Sequence, residues 1–273
     1  LININMISIQ SSNINKKFKK NGFLLKQNFV DTNTKKKIFS IIKKNFSKNI
    51  LFLKKNNNLE HQLFHDQMLK LRKKKKIFSE IYDKINLSSE LRSIFYQKKF
   101  LNFFSSVLKT DQIYLNGFMM RFDFPNDERN SLQWHQDSPY YMQTYPKFNA
   151  GVYWIPVTNN SKKNEILQFI MKSNKKFIKS KLSLKNNLST SQYIMPVTKK
   201  EEKNLSNLSQ KFGDASFLHM NLKHRSGIND STKVRITIAC RFHCMKNFNI
   251  GKEIYFHNKK EIRDKDKYII KKK

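Results

Sequence analysis

Cysteine is nearly absent from this chain: of 273 residues only Cys240 and Cys244 carry thiols. Two thiols cannot make a disulfide framework, so a reducing, cytoplasmic setting is expected. No apolar stretch approaches the ~20 residues that span a bilayer, and no secretory hydrophobic segment follows the N-terminus. Acidic residues are scarce too, with 20 Asp and Glu against 54 Lys and Arg, giving a formal charge of +34. A polyanion-binding footprint would be a concentrated stripe. Here the lysines run from Lys16 to Lys273, beside abundant Asn and Ile and only 6 Gly and 5 Pro. That pattern reads as an A/T-rich coding bias spread over a solvated surface, so no nucleic-acid partner is expected. Core material, in contrast, is plentiful: 38% of residues are hydrophobic and 23 are Phe, which excludes a disordered protein.

At this length one domain is expected. Residues 1–20, rich in Asn, Ser and Lys, read as a flexible leader, and 259–273 as a solvated charged tail. The chain opens on Leu1, so a start further upstream or an unusual initiation codon is expected. Between leader and tail, 21–258 read as a single domain, with helical support over 30–110 and a β-rich core over 111–245. Gly22–Leu25 is strand-like. A helix opening at Asp31 or Thr32 places Ile38, Ile41, Ile42 and Phe46 at helical spacing. Leu63–Ile85 and Ser88–Leu108 continue the helical period, the second starting near Ser89. From Gln112 the character changes to short aromatic and β-branched runs: 114–122, 151–156, 166–170, 215–218 and 234–239. Helices followed by many short strands fit a β-sandwich or jelly roll braced by helices. The lysine-rich stretch 175–203 reads as a surface insertion.

Trp134-His135-Gln136-Asp137 sets an imidazole and a carboxylate two apart, which at a strand end puts both on one face. A histidine in the segment 213–231 completes a two-histidine, one-carboxylate set, the ligand type that leaves positions open on non-haem Fe(II). Arg235 follows on a strand, and its guanidinium can fork onto a carboxylate such as the distal end of 2-oxoglutarate.

In these residues the sequence resembles the phytanoyl-CoA dioxygenase-like family of Fe(II)/2-oxoglutarate oxygenases. Its pattern is His-x-Asp, then His-x-Ser-x-x-Asn-x-Ser, then Arg about eleven residues past the second His. His224-Arg225-Ser226-Gly227-Ile228-Asn229-Asp230-Ser231 follows that run, and Arg235 falls at the matching distance. The likeness covers about residues 112–243, with a weaker echo at Gly22–Phe29. It implies a double-stranded β-helix core of the jelly-roll, cupin-like type. It also implies iron ligands His135, Asp137 and His224, and a 2-oxoglutarate seat formed by Arg235 and Ser226. The expected activity is hydroxylation of a small organic molecule with O2 and 2-oxoglutarate as co-substrates, releasing succinate and CO2. Related halogenases carry a small residue in place of the carboxylate, so Asp137 favours hydroxylation over halogenation.

The family's Glu-Asn-Gly and Pro-Gly-Ser-His runs are replaced here by Asn164-Glu165-Ile166-Leu167 and Met171-Lys172-Ser173-Asn174, so the substrate-side loop is expected to differ. Two alternatives stay open. Arg235 and Arg241 resemble the arginine pair of nucleic-acid dealkylating dioxygenases, although the upstream Asn-x-Tyr-x-x-Gly pattern of those enzymes is missing. An inactive jelly-roll binding protein is the other. His219 competes with His224 but lacks the flanking Ser and Asn, while His61 and His65 read as a solvated helix face. Tyr153 or Trp154 either lines the co-substrate pocket or packs a strand core. Cys240 and Cys244, on one side of a strand, read as core filler.

Overall fold

The structure, a computed structural model, describes residues 13–127, 131–141, 144, 147–159, 167–178, 180–183, 192–227 and 229–247. The charged tail at 259–273, the first twelve residues of the expected leader and the Asn164–Ile166 run lie outside the described residues.

Helices dominate the first half: α1 (Ile14–Asn21), α2 (Thr32–Phe46), α3 (Phe52–Lys55), α4 (Gln62–Lys73), α5 (Lys75–Leu87), α6 (Ser89–Phe95) and α7 (Lys98–Leu108), with the short strand β1 (Phe23–Lys26) between the first two. Asp31 caps α2 by accepting from the Thr34 N–H at 2.8 Å. Its periodic residues Ile38, Ile41, Ile42 and Phe46 are all buried. Two expectations need correction here. Residues 14–20 are not a frayed leader: they form α1, whose Phe18 is 1% exposed and stacks near Phe242 and His219. A single aromatic burying in this way outweighs the solubility of the four lysines around it. The expected continuous helix over 63–85 is also broken, at Lys74 (φ −85, ψ 68). The break lies inside the Lys73–Lys76 run, where like charges one turn apart weaken a helix.

The second half is antiparallel sheet: β2 (Ile113–Asp123), β3 (Ala150–Pro156), β4 (Leu167–Ile170), β5 (Lys181–Ser183), β6 (Gln192–Ile194), β7 (Leu205–Asn207), β8 (Ala215–His219), β9 (His224–Ser226) and β10 (Arg235–Cys244), with one helical turn, α8 (Lys199–Glu202), before β7. A five-stranded sheet runs in the order β1-β8-β3-β10-β2 and a three-stranded one in the order β7-β4-β9, while β5 and β6 pair with each other. Strand alternation sorts the large sheet into two faces. Tyr153, Phe217, Ile236, Ile238, Cys240 and Phe242 face the helices, in one core with Phe46, Phe95 and Phe104. Val152, Leu218 and Ala239 face Leu167 and Phe169 of the small sheet. The molecule is therefore a jelly-roll-type β-structure with flanking helices, and both thiols are core filler. Among the described residues no helix is long and apolar enough to cross a membrane.

Candidate metal centre

His135 and Asp137 sit outside any named strand, in a segment pinned to the opposite sheet by its backbone. His135 exchanges N–H···O bonds with His224, at 2.9 and 3.0 Å, and the Asp137 N–H reaches the Met220 carbonyl at 3.0 Å. A 3-10 turn, Ser138–Tyr140, follows directly. That reciprocal bridge sets the two imidazoles side by side, with ring centroids 4.2 Å apart. One ligand atom from each of His135, Asp137 and His224 lies within 4.8 Å of the others, and all three residues are buried. No fourth His, Cys, Asp or Glu joins the group among the described residues.

Each imidazole is held through the same atom. His135 Nδ1 meets the Gln133 carbonyl at 2.7 Å, and His224 Nδ1 meets the Leu222 carbonyl at 2.9 Å. A carbonyl only accepts, so both Nδ1 atoms carry hydrogen, and Nε2 is the ring nitrogen each histidine has to offer a ligand. Burial first, and His224 beside it second, push the His135 pKa down to about 3, which keeps that ring neutral. Burial opposes ionisation of Asp137, but Arg241, His224 and His135 outweigh it and hold the carboxyl below its ordinary range. Its Oδ2 is buried without a hydrogen-bond partner and lies 3.6 Å from His224 Nε2. Two imidazoles and one carboxylate with an orphaned oxygen match the donor set of an open non-haem Fe(II) centre, and fall one short of a closed structural zinc site.

The other carboxylate oxygen is occupied by a residue that sequence reasoning had placed only in a rival reading. Arg241 Nη2 donates to Asp137 Oδ1 at 3.2 Å, and its Nη1 to the Gly117 carbonyl at 3.0 Å. The register between β10 and β2 shows how this arises. Ala239 faces Met119 while Arg241 faces Asn116, so β2 carries one residue more than β10 across a bulge that contains Gly117. Gly117 has φ +58, and a Cβ there would lie 2.6 Å from Tyr141 Oη and 2.9 Å from Arg241 Cδ. Gly117→Ala is therefore expected to cost roughly 1–2 kcal/mol, from left-handed strain and displacement of these two side chains. Urea denaturation measures it, and an unchanged midpoint would show that the bulge tolerates a side chain.

Arg235 lines the same cavity as the three candidate ligands, as does Ser226. Arg235 is 3% exposed, its Nε donates to Asp123 Oδ2 at 3.1 Å and its Nη2 to the Gly227 carbonyl at 3.2 Å. Asp123 also accepts from Arg121 at 2.9 Å. Ser226 Oγ accepts from the Leu132 N–H at 3.3 Å, which leaves its own hydrogen to donate. The rest of the motif is scaffold. Asn229 donates to the Asp123 and Lys233 carbonyls at 2.9 and 2.8 Å and accepts from Ser231, so this turn anchors the start of β10 beside Asp123.

The phytanoyl-CoA dioxygenase family model matches residues 18–237. The chain belongs to that family. Its members are Fe(II)/2-oxoglutarate-dependent oxygenases. Solved structures share the fold. EctD from S. alaskensis, solved with 2-oxoglutarate and 5-hydroxyectoine, superposes at TM-score 0.60 and 12% identity, over 90% of this chain and 79% of that one. The non-heme monooxygenase ThoJ in complex with nickel superposes at 0.54 and 16% identity, over 85% and 77%. SnoK, a non-heme alpha-ketoglutarate-dependent carbocyclase from nogalamycin biosynthesis, superposes at 0.55 and 10% identity, over 86% and 84%. At such identities the likeness speaks for fold and not for reaction. No curated protein matches the chain by sequence.

Against that family background the remaining candidates separate. Tyr153 is fully buried and stacks on Phe217 at 4.8 Å, whereas Trp154, its neighbour on the opposite face, lines the cavity. His219 stays apart from the three-residue group, its Nδ1 accepting from the Asn221 N–H at 3.1 Å. The lysine-rich stretch expected as a surface insertion is instead tied to the His135 segment. Gln192 Oε1 accepts from the Gln133 N–H at 2.9 Å, the Met195 N–H reaches the Trp134 carbonyl at 2.9 Å, and Gln136 Oε1 accepts from Ile178 N–H at 2.9 Å.

His61 and His65 do not share a solvated face. His61 caps α4, while His65 is 0% exposed and its Nδ1 accepts from the Val234 N–H at 3.1 Å, one residue before Arg235. Burial, helped by Lys233, lowers the His65 pKa to about 4. Between 6.5 and about 4 the unfolded chain then binds a proton that the folded one refuses, so stability falls as pH drops through that window. The melting temperature should decline over this range, and His65→Gln should flatten the decline. An identical slope in the variant would remove His65 from the account.

Proposed function

We propose that this oxygenase hydroxylates a small organic molecule, with His135, Asp137 and His224 as the iron ligands and Arg235, assisted by Ser226, as the seat of the distal carboxylate of 2-oxoglutarate. The observation that carries the reading is convergence. Two imidazoles presenting Nε2 and a carboxylate presenting an orphaned oxygen lie within 4.8 Å, in a cavity that Arg235 also lines. Iron and 2-oxoglutarate together supply the activation of O2 that oxidation of an unactivated C–H bond requires.

Everything else falls to the chain. The Gln133 and Leu222 carbonyls lock both rings in the tautomer that presents Nε2. Arg241 takes one oxygen of Asp137 and so leaves the other turned to the ligand position. Asp123 and the Gly227 carbonyl hold the Arg235 guanidinium in place before any co-substrate arrives, which lowers the ordering cost of binding. Hydroxylation is favoured because Asp137 fills the third ligand position, where a halide would otherwise need a vacancy. The two buried thiols fit a reducing cytoplasm as the working compartment.

The test is Fe(II)-dependent formation of succinate from 2-oxoglutarate across a broad panel of small organic molecules, with the product analysed by mass. A product heavier by one oxygen supports hydroxylation. Loss of two hydrogens without oxygen gain would overturn hydroxylation alone, and no iron-dependent succinate from any panel member would overturn the catalytic reading.

A further inference from the structure

Of the 54 basic residues only eight are arginine, the rest being lysine. Three of those eight, Arg121, Arg235 and Arg241, line the one cavity that holds the candidate metal ligands. In a chain whose composition drifts so strongly to lysine, such concentration points to positions where a fixed guanidinium is needed. Their carboxylate partners are two. Arg121 and Arg235 share Asp123, and Arg241 holds Asp137.

The charges in the cavity can then be followed through loading. A divalent iron brings two positive charges, and 2-oxoglutarate brings two negative ones, of which Arg235 receives the distal carboxylate and the metal the other. With three arginines and two aspartates already in place, one positive charge is left over among the described residues of the cavity. Arg241 is where it is left. One oxygen of its partner Asp137 is committed to the ligand position. The side chain is 11% exposed and stacked on Tyr141 at 4.9 Å, so water and salt screen it little. Its Nη1 and Nη2 are engaged by the Gly117 carbonyl and Asp137, but its Nε is buried without a hydrogen-bond partner. A buried N–H left unmet costs about 1–3 kcal/mol, which a carboxylate would recover once the Arg241 side chain, part of the cavity wall, shifts to admit it.

We propose that the substrate carries a carboxylate, and that Arg241 is the residue that receives it. The inference rests on the function proposed above and deepens it: the unidentified small molecule becomes a monocarboxylic acid held by a charge-assisted bond beside the metal. Lysine in this place would keep the charge and lose the Nε–H.

The measurement uses the full chain loaded with Fe(II) and saturating 2-oxoglutarate without oxygen, so that Arg235 is already filled. The chain holds two tryptophans, Trp154 lining the cavity and Trp134 next to His135, so their fluorescence reports on occupancy. Matched acids and amides are titrated at constant ionic strength: acetate and acetamide, hexanoate and hexanamide, phenylacetate and phenylacetamide. At least one acid should bind about tenfold more tightly than its amide. Arg241→Gln should bring that ratio close to one, and Arg241→Lys should retain part of it; a ratio compares two ligands on one protein, so a general weakening of the centre cancels. The proposal is overturned if the wild type shows no preference, if the preference survives Arg241→Gln, or if that variant weakens 2-oxoglutarate and leaves the ratio untouched. Failure of the wild type to take up Fe(II) and 2-oxoglutarate, read before any probe is added, overturns the functional reading itself and this inference with it. Should Arg241→Gln not fold, the lysine variant and the wild-type ratio still decide.

Discussion

Asp137→Ala is expected to abolish Fe(II)-dependent succinate formation and to leave the purified protein without bound iron. Only three groups converge among the described residues, so losing the single anionic one should cost more than the ~10–100-fold in metal affinity that removal of an outer-sphere partner costs. The substitution also strands Arg241, whose side chain is 11% exposed and whose carboxylate partner among the described residues is Asp137. Breaking a buried pair from one side costs about 3–5 kcal/mol, so Ala should lower the melting temperature as well. Asp137→Asn separates the two effects. Its amide oxygen can still accept from Arg241, which preserves more of the fold, while the neutral amide is a poor ligand. Metal content after dialysis, thermal unfolding and succinate assays together read the outcome. Iron retained and turnover kept in either variant would remove Asp137 from the ligand set.

Arg235→Leu should act at the other end of the cavity. Its guanidinium is 3% exposed and shares Asp123 with Arg121, so deletion leaves that carboxylate with one guanidinium partner fewer. Because Arg121 remains, a loss at the lower end of the ~3–5 kcal/mol range is expected. Loss of a desolvated, charge-assisted contact to a carboxylate is worth at least ~2 kcal/mol, so the apparent affinity for 2-oxoglutarate should fall by roughly 30-fold or more. Arg235→Lys should recover the charge without the two-pronged geometry, and so only part of the affinity. Iron binding should survive in both. An unchanged KM for 2-oxoglutarate in a folded Arg235→Leu protein would place the co-substrate elsewhere.

Much of this was legible in the sequence because it is written locally. The start of α2 follows from Asp31 accepting from the Thr34 N–H and from the spacing of Ile38, Ile41 and Ile42. Alternation along β3 separates Tyr153 from Trp154 onto opposite faces, although which face is core cannot be told from alternation alone. His65 was misread for a related reason. A histidine four residues from His61 on a helix is indistinguishable from a solvated one until Val234, far along the chain, is seen to donate to it. Phe18 was missed because Ile14 and Phe18, one turn apart among lysines, make too short an apolar stripe to stand out as a period.

The candidate centre divides along the same line. The sequence by itself determined the family and the jelly-roll class and singled out His135, Asp137, His224, Ser226 and Arg235 as candidates, because spacing within a motif survives without knowledge of the fold. Only the tertiary structure decided which atoms face one another. Arg241 meets Asp137 across 104 residues, and Arg235 meets Asp123 across 112. Both contacts depend on the register of β10 against β2, and the first on a bulge whose extra residue turns a strand arginine toward the candidate metal ligands. Pairing of that kind is set by sheet closure and by the burial of charge in low dielectric, and neither leaves a periodic trace along the chain.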